Sequence, residues 1–116
     1  LAATAFEKVV ALSPDHGHAL NNLGFVYLQV NENEKAVEVL SRAAGLLPNV
    51  AWVHNNLGIA LERTGRTEEA KSAYLAATSL SPKYVKARVN MNRVAKAAVP
   101  TEPQGDLELP SDVEHE

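Results

Sequence analysis

The 116-residue chain has no cysteine, which excludes a disulfide framework, thiol catalysis and zinc–thiolate sites. Aromatic residues are few, six with a single tryptophan among them. Against eighteen alanines, that scarcity favours closely packed helices over a β-sandwich. Long hydrophobic runs are also missing. Stretches such as Ile59 to Leu61 are far too short to cross a bilayer, and no secretory h-region is visible, so no membrane span is expected. The chain begins at Leu1 without an initiator Met, as a processed product or an excerpt would.

Motifs that carry catalysis are absent as well. Neither Gly24 nor Gly58 lies in a phosphate-binding loop, and no nucleophile motif stands out. His16 and His18 are two residues apart at a helix start, point in different directions and make a poor metal pair. Glu68 and Glu69 open a helix, where negative charge suits the dipole. An enzyme is therefore not expected from these residues, nor is a metal or cofactor. Nucleic-acid binding is disfavoured by a pI of about 5.8 and by a basic cluster without interleaved aromatics. The lack of cysteine suits cytoplasm and bacterial periplasm alike, so the compartment stays open.

What is present is unevenly arranged. Formal net charge is −3, yet residues 1–98 hold all 11 Lys and Arg against 8 acids, while residues 99–116 hold six acids and no base. The same terminal stretch contains Pro100, Pro103 and Pro110 and few apolar residues, so a disordered acidic tail is expected over 99–116.

The remainder repeats itself every 34 residues. Residues 17–50 align with 51–84 without a gap at nine identities, including Asn21-Asn22-Leu23-Gly24 against Asn55-Asn56-Leu57-Gly58. Pro14, Pro48 and Pro82 fall at the same interval. Within each period two helical stripes appear. Leu20, Leu23, Tyr27 and Val30 recur at steps of three and four, and Ala36, Val39, Leu40, Ala43 and Leu46 form the second set. Asn31 and Gly65 stand at equivalent breaks, and both residue types adopt the left-handed conformation that closes a helix. Each second stretch stops before a proline. The pattern predicts helices over 1–12, 16–30, 33–46, 51–64, 67–80 and 84–98. Gly24 and Gly58 fall inside helices, where glycine costs about 1 kcal/mol against alanine. A close helix–helix approach, with Ala36, Ala43, Ala70 and Ala77 opposite and Leu40 and Tyr74 between, is the expected compensation.

These residues resemble the tetratricopeptide repeat family. The first repeat answers its pattern with Leu20, Leu23, Gly24, Tyr27, Ala36, Leu40, Ala43 and Pro48, the second with His54, Leu57, Gly58, Leu61, Ala70, Tyr74, Ala77 and Pro82. The resemblance implies an all-α, right-handed solenoid of antiparallel helix pairs with about six helices. It would divide the chain into the second helix of a truncated repeat (1–14), repeats at 17–50 and 51–84, a capping helix (85–98) and the acidic tail (99–116). In the cap, Arg88 and Asn92 replace an apolar residue and a glycine, as an end helix requires. Residues 1–14, by contrast, leave an apolar face to be covered by further repeats or by another copy.

The resemblance also implies a concave groove lined by the first helix of each pair. Its expected wall comprises His18, Asn21, Asn22, Phe25 and Gln29, then Trp52, Asn55, Asn56, Ile59, Glu62 and Arg63, then Lys86, Asn90, Arg93 and Lys96. Asn22, Asn56 and Asn90 fall 34 apart at one structural position. Their carboxamides can donate to and accept from the main chain of an extended peptide. The arrangement resembles the asparagine ladder in O-linked N-acetylglucosamine transferase repeats; the alternative is that these amides are merely solvated. The family's carboxylate clamp is matched only at Asn56 and Lys86, with Asn21, Phe25 and Asn90 departing from it, so chaperone tails are not expected. Trp52 is the foremost candidate contact, set against partial burial between repeats.

The functional expectation is a non-catalytic protein-interaction scaffold that binds a peptide segment or partner subunit. The alternatives are the substrate-recognition portion of a larger, glycosyltransferase-like enzyme and a bacterial pilus or secretion assembly factor. Self-association through residues 1–14 or the acidic tail is a further expectation. In one version the tail, with Leu107 and Leu109, visits a groove of its own or a neighbouring molecule; in the other it is solvated.

Overall fold

The structure is a computed structural model that describes residues 2–13 and 15–97. Leu1, Pro14 and residues 98–116 lie outside the described residues, and with them the expected acidic tail. Six helices follow one another: α1 (Ala2–Leu12), α2 (Gly17–Gln29), α3 (Asn33–Leu46), α4 (Ala51–Arg63), α5 (Thr67–Leu80) and α6 (Val85–Ala97). No strand occurs among the described residues.

The helix ends repeat as the sequence does. Asn31 has φ 64° and Gly65 φ 85°, the left-handed backbone anticipated at both breaks. The N–H groups of Glu32 and Arg66 donate to the Tyr27 and Leu61 carbonyls at 2.8 Å, satisfying acceptors that the last turn leaves open. Each outer helix closes by one bond repeated at 34-residue intervals: Ser13 N–H to Val9 O, Leu47 N–H to Ala43 O, and Ser81 N–H to Ala77 O. His16 has a structural task at the start of α2, where its Nδ1 accepts from the Ala19 N–H at 3.2 Å.

Packing sorts the helices into two rows. α2 touches α4 and α4 touches α6, whereas α1, α3 and α5 do not touch one another and each lies against its inner-row neighbours. A row whose members touch is shorter than one whose members do not, so the stack bends with α2, α4 and α6 on its inner side. Leu20, Leu40, Val53, Tyr74 and Val94 are fully buried between the rows. Burial of such side chains contributes roughly 1.5–3 kcal/mol each.

The helical glycines mark the closest approaches. A Cβ on Gly24 would overlap the Leu40 side chain, and one on Gly58 would lie 2.6 Å from Tyr74 Cε1. Both observations bear out the steric reason inferred from the repeats. On α6, Val94 is buried while Arg88 and Asn92 are exposed. On α1, Phe6 and Val10 pack against the core, and Leu12 remains 86% exposed.

Candidate functional site

The inner face of α2, α4 and α6 carries most of the expected wall. Asn22 and Lys86 are exposed, Phe25 is half-exposed, and Asn56, Ile59 and Asn90 are partly buried. Asn21 and Asn55 depart from expectation: they are 6% and 2% exposed and do not face a guest. The cause is helical geometry. Gly17, Asn21, Gly24 and Leu28 share a stripe at steps of four, three and four, and all four are buried. That stripe turns toward the neighbouring helices, so the first asparagine of each doublet is drawn inward while the second stays outside.

The buried asparagines hold the exposed row in place. Asn56 Nδ2 donates to Asn21 Oδ1 at 3.1 Å, and one repeat later Asn90 Nδ2 donates to Asn55 Oδ1 at 3.0 Å. Asn55 also hydrogen-bonds the Tyr84 hydroxyl, whose pKa burial nevertheless pushes up. A buried amide satisfied in this way fixes the register of adjacent inner helices. Asn56 keeps its carbonyl oxygen without a protein partner among the described residues, and Asn22 keeps its whole amide.

Arg93 lines the inner face with an ion pair already made: its guanidinium is bound to Glu62. Its Nη2 lies 3.0 Å from both Glu62 Oε1 and Asn90 Oδ1. The Tyr74 hydroxyl donates to the same Glu62 at 2.8 Å, and burial followed by this carboxylate pushes the Tyr74 pKa far up. The hydrogen bond from Arg93 to Glu62 raises the arginine's own pKa. Arg63 ties the junction from the other side, donating to the Leu28 carbonyl at 2.9 Å at the end of α2. Ile59, Glu62, Arg63, Asn90 and Arg93 surround one open hollow of about 400 Å³. Trp52 is not part of it: it borders a separate cleft with Leu80, Lys83 and Tyr84. No local pattern pointed to the Glu62–Arg93 pair, whose members stand 31 residues apart.

Profiles of the tetratricopeptide repeat match residues 1–51 and 51–84. The chain belongs to the tetratricopeptide repeat family. Over 69 residues it is 35% identical to the peroxisomal targeting signal receptor of Candida albicans, a stretch covering 60% of this chain but 12% of that protein. Among solved structures, the Thermobaculum terrenum O-GlcNAc transferase matches with a TM-score of 0.78 and 28% identity, covering 87% of this chain and 19% of that one. The first TPR of Spaghetti, bound to an HSP90 peptide, matches with a TM-score of 0.79 at 19% identity, over 83% and 76% of the two chains. This last likeness speaks to the fold. No described helix is long and apolar enough to cross a membrane.

Proposed function

We propose that the chain is a non-catalytic interaction module that holds an extended polypeptide segment along the inner face of α2, α4 and α6. The observation that carries this reading is the asparagine row. Asn22, Asn56 and Asn90 recur at 34-residue intervals on that face, the first two with open amide valences and the latter two braced by a buried partner. Helices packed 8–10 Å apart, set against roughly 3.3 Å per extended residue, bring one amide to about every third peptide residue. Hydrogen bonds worth about 0.5–1.5 kcal/mol each do not reach the roughly −8 kcal/mol of micromolar binding. Phe25 and Ile59, the apolar residues beside the row, supply contact area toward that deficit. The likeness to proteins named as receptors for a targeting signal supports a binding role.

A second reading is favoured by the match to an O-GlcNAc transferase, of which this chain covers 19%. Here the same groove presents substrate to a catalytic domain elsewhere in a longer protein. A transferase domain in the full open reading frame selects this version, and its absence selects the free-standing scaffold.

Both readings share one test. Peptides selected by display against the chain are titrated by calorimetry into the wild type, Asn22→Ala and the Asn22→Ala/Asn56→Ala pair. The expected loss is about 1–3 kcal/mol for the pair, alike for peptides of unrelated sequence. Asn22→Ala also leaves the melting temperature unchanged, because its side chain holds no described partner. Unchanged affinity in both variants overturns the reading.

A further inference from the structure

Trp52 is the chain's one tryptophan, and 52% of it faces solvent at the second position of α4. It forms one wall of a cleft closed on the other side by Leu80 and Tyr84 of the α5–α6 turn, with Lys83 at its edge. Leu80 and Val85, on either side of that turn, are also substantially exposed, so the cleft is an apolar surface open to water. Its electrostatic setting is one-sided. From Ser81 to Ala97 the chain carries five bases and no acid, and Arg93 alone among them holds an ion pair with a described residue. Lys83, Lys86, Arg88 and Lys96 therefore add their positive charge to this end of the stack uncompensated. The cleft itself lies apart from the asparagine row: none of Asn22, Asn56 and Asn90 lines it.

We propose that the cleft is the docking site of the chain's own acidic segment around Leu107 and Leu109. Those leucines would enter beside Trp52 and Tyr84, and the flanking carboxylates would face Lys83 and Lys86. Residues 106–112 read Asp-Leu-Glu-Leu-Pro-Ser-Asp, which alternates apolar groups that would cover the apolar cleft with the negative charge its rim lacks. The whole of 99–116 carries six acids and no base, the complement of the stretch before it. Tether length permits the contact within one molecule. Leu107 lies ten residues beyond Ala97, a reach of up to roughly 33 Å. The path back along the 13 residues of α6 to the turn is about 20 Å.

The lone tryptophan makes the proposal readable without a label. Emission and acrylamide quenching of Trp52 are measured in the full chain, in Leu107→Ala/Leu109→Ala, and in a chain ending at Ala97, which retains every packed helix described above. Docking predicts blue-shifted emission in the full chain and a quenching constant roughly half that of the other two forms, since covering the ring removes the collisional surface. High salt should erase the difference by screening the carboxylate–lysine attraction. A synthetic peptide of residues 104–114 should restore protection to the shortened chain, and Lys83→Glu/Lys86→Glu should abolish that rescue. Equal emission and quenching in all three forms overturns the proposal. So does protection that appears only as protein concentration rises, which would place the segment on a second copy. Because the readout is Trp52 and not the inner face, its failure leaves the asparagine row untouched, and the converse also holds.

Discussion

Between α2 and α4, the Asn21–Asn56 pair stands beside Leu28, Leu40 and Ile59; one repeat later, the Asn55–Asn90 pair stands beside Glu62, Tyr74 and Arg93. Every member of the second trio is 34 residues from its counterpart in the first. The amide pair is kept while its surroundings change from three apolar groups to a connected acid, phenol and guanidinium. The first junction lies within the hydrophobic cluster and needs no polar partner. In the second, one polar substitution would strand a part-buried group, whereas three together satisfy one another. The consequence reaches the groove: Asn56 keeps an open carbonyl, and Asn90 gives its own to Arg93.

The largest expected effect comes from filling the notch that both halves share. Gly58→Leu should cost about 2–3 kcal/mol in a thermal or denaturant melt, and Gly24→Leu somewhat less. Tyr74 is pinned by its hydrogen bond to Glu62, whereas no hydrogen bond holds the Leu40 side chain. Equal costs would remove that distinction. Next, Glu62→Leu alone should lose about 2 kcal/mol, because it leaves Arg93 and the Tyr74 hydroxyl without their acceptor. The triple change Glu62→Leu/Tyr74→Leu/Arg93→Ile copies the first junction into the second and should recover most of that loss. A triple variant less stable than the single one would show that the two junctions are not interchangeable.

A pH measurement sharpens the comparison through the tyrosines. Burial, then the hydrogen bond to Glu7, pushes Tyr27 from 10.0 up to about 12, and Tyr74 and Tyr84 are raised too, each chiefly by burial. The folded state holds these protons more tightly than the unfolded chain does. The associated stability is therefore fully present below pH 10 and is lost as pH rises through the folded values. Absorbance of phenolate should therefore rise at higher pH in the folded chain than in the unfolded one, as all three tyrosines are shifted upward. Titration of one tyrosine near 10 in the folded chain would contradict this. The smallest effect belongs to the exposed Arg66–Glu34 pair at 3.4 Å, where Arg66→Ala should change stability by less than about 0.5 kcal/mol.

Much of the fold was legible in the residues because a repeat states each rule more than once. Asn31 and Gly65 marked helix ends by their shared conformational freedom, and Gly24 and Gly58 marked close approach by their shared cost. The site was less legible. The doublets at 21–22 and 55–56 look like two exposed amides until the spacing of Gly17, Asn21, Gly24 and Leu28 is drawn as a stripe. Only a neighbouring helix distinguishes the two members. The ion pair of Arg93 was not legible because its partner Glu62 lies in the preceding repeat, where no local pattern couples them. Trp52 was singled out as a contact residue, against partial burial between repeats; it is half-exposed beside a cleft bordered by Leu80 and Tyr84, which are distant in sequence.

Main-chain recognition by Asn22 and Asn56 stands or falls on N-methylation of a bound peptide. Each amide of a display-selected ligand is methylated in turn and its affinity measured. Methylation at sites about three residues apart should weaken binding by on the order of tenfold, with little effect in between. Affinity that tolerates methylation at every position, while responding only to side-chain changes, would show that the inner face reads something other than the backbone.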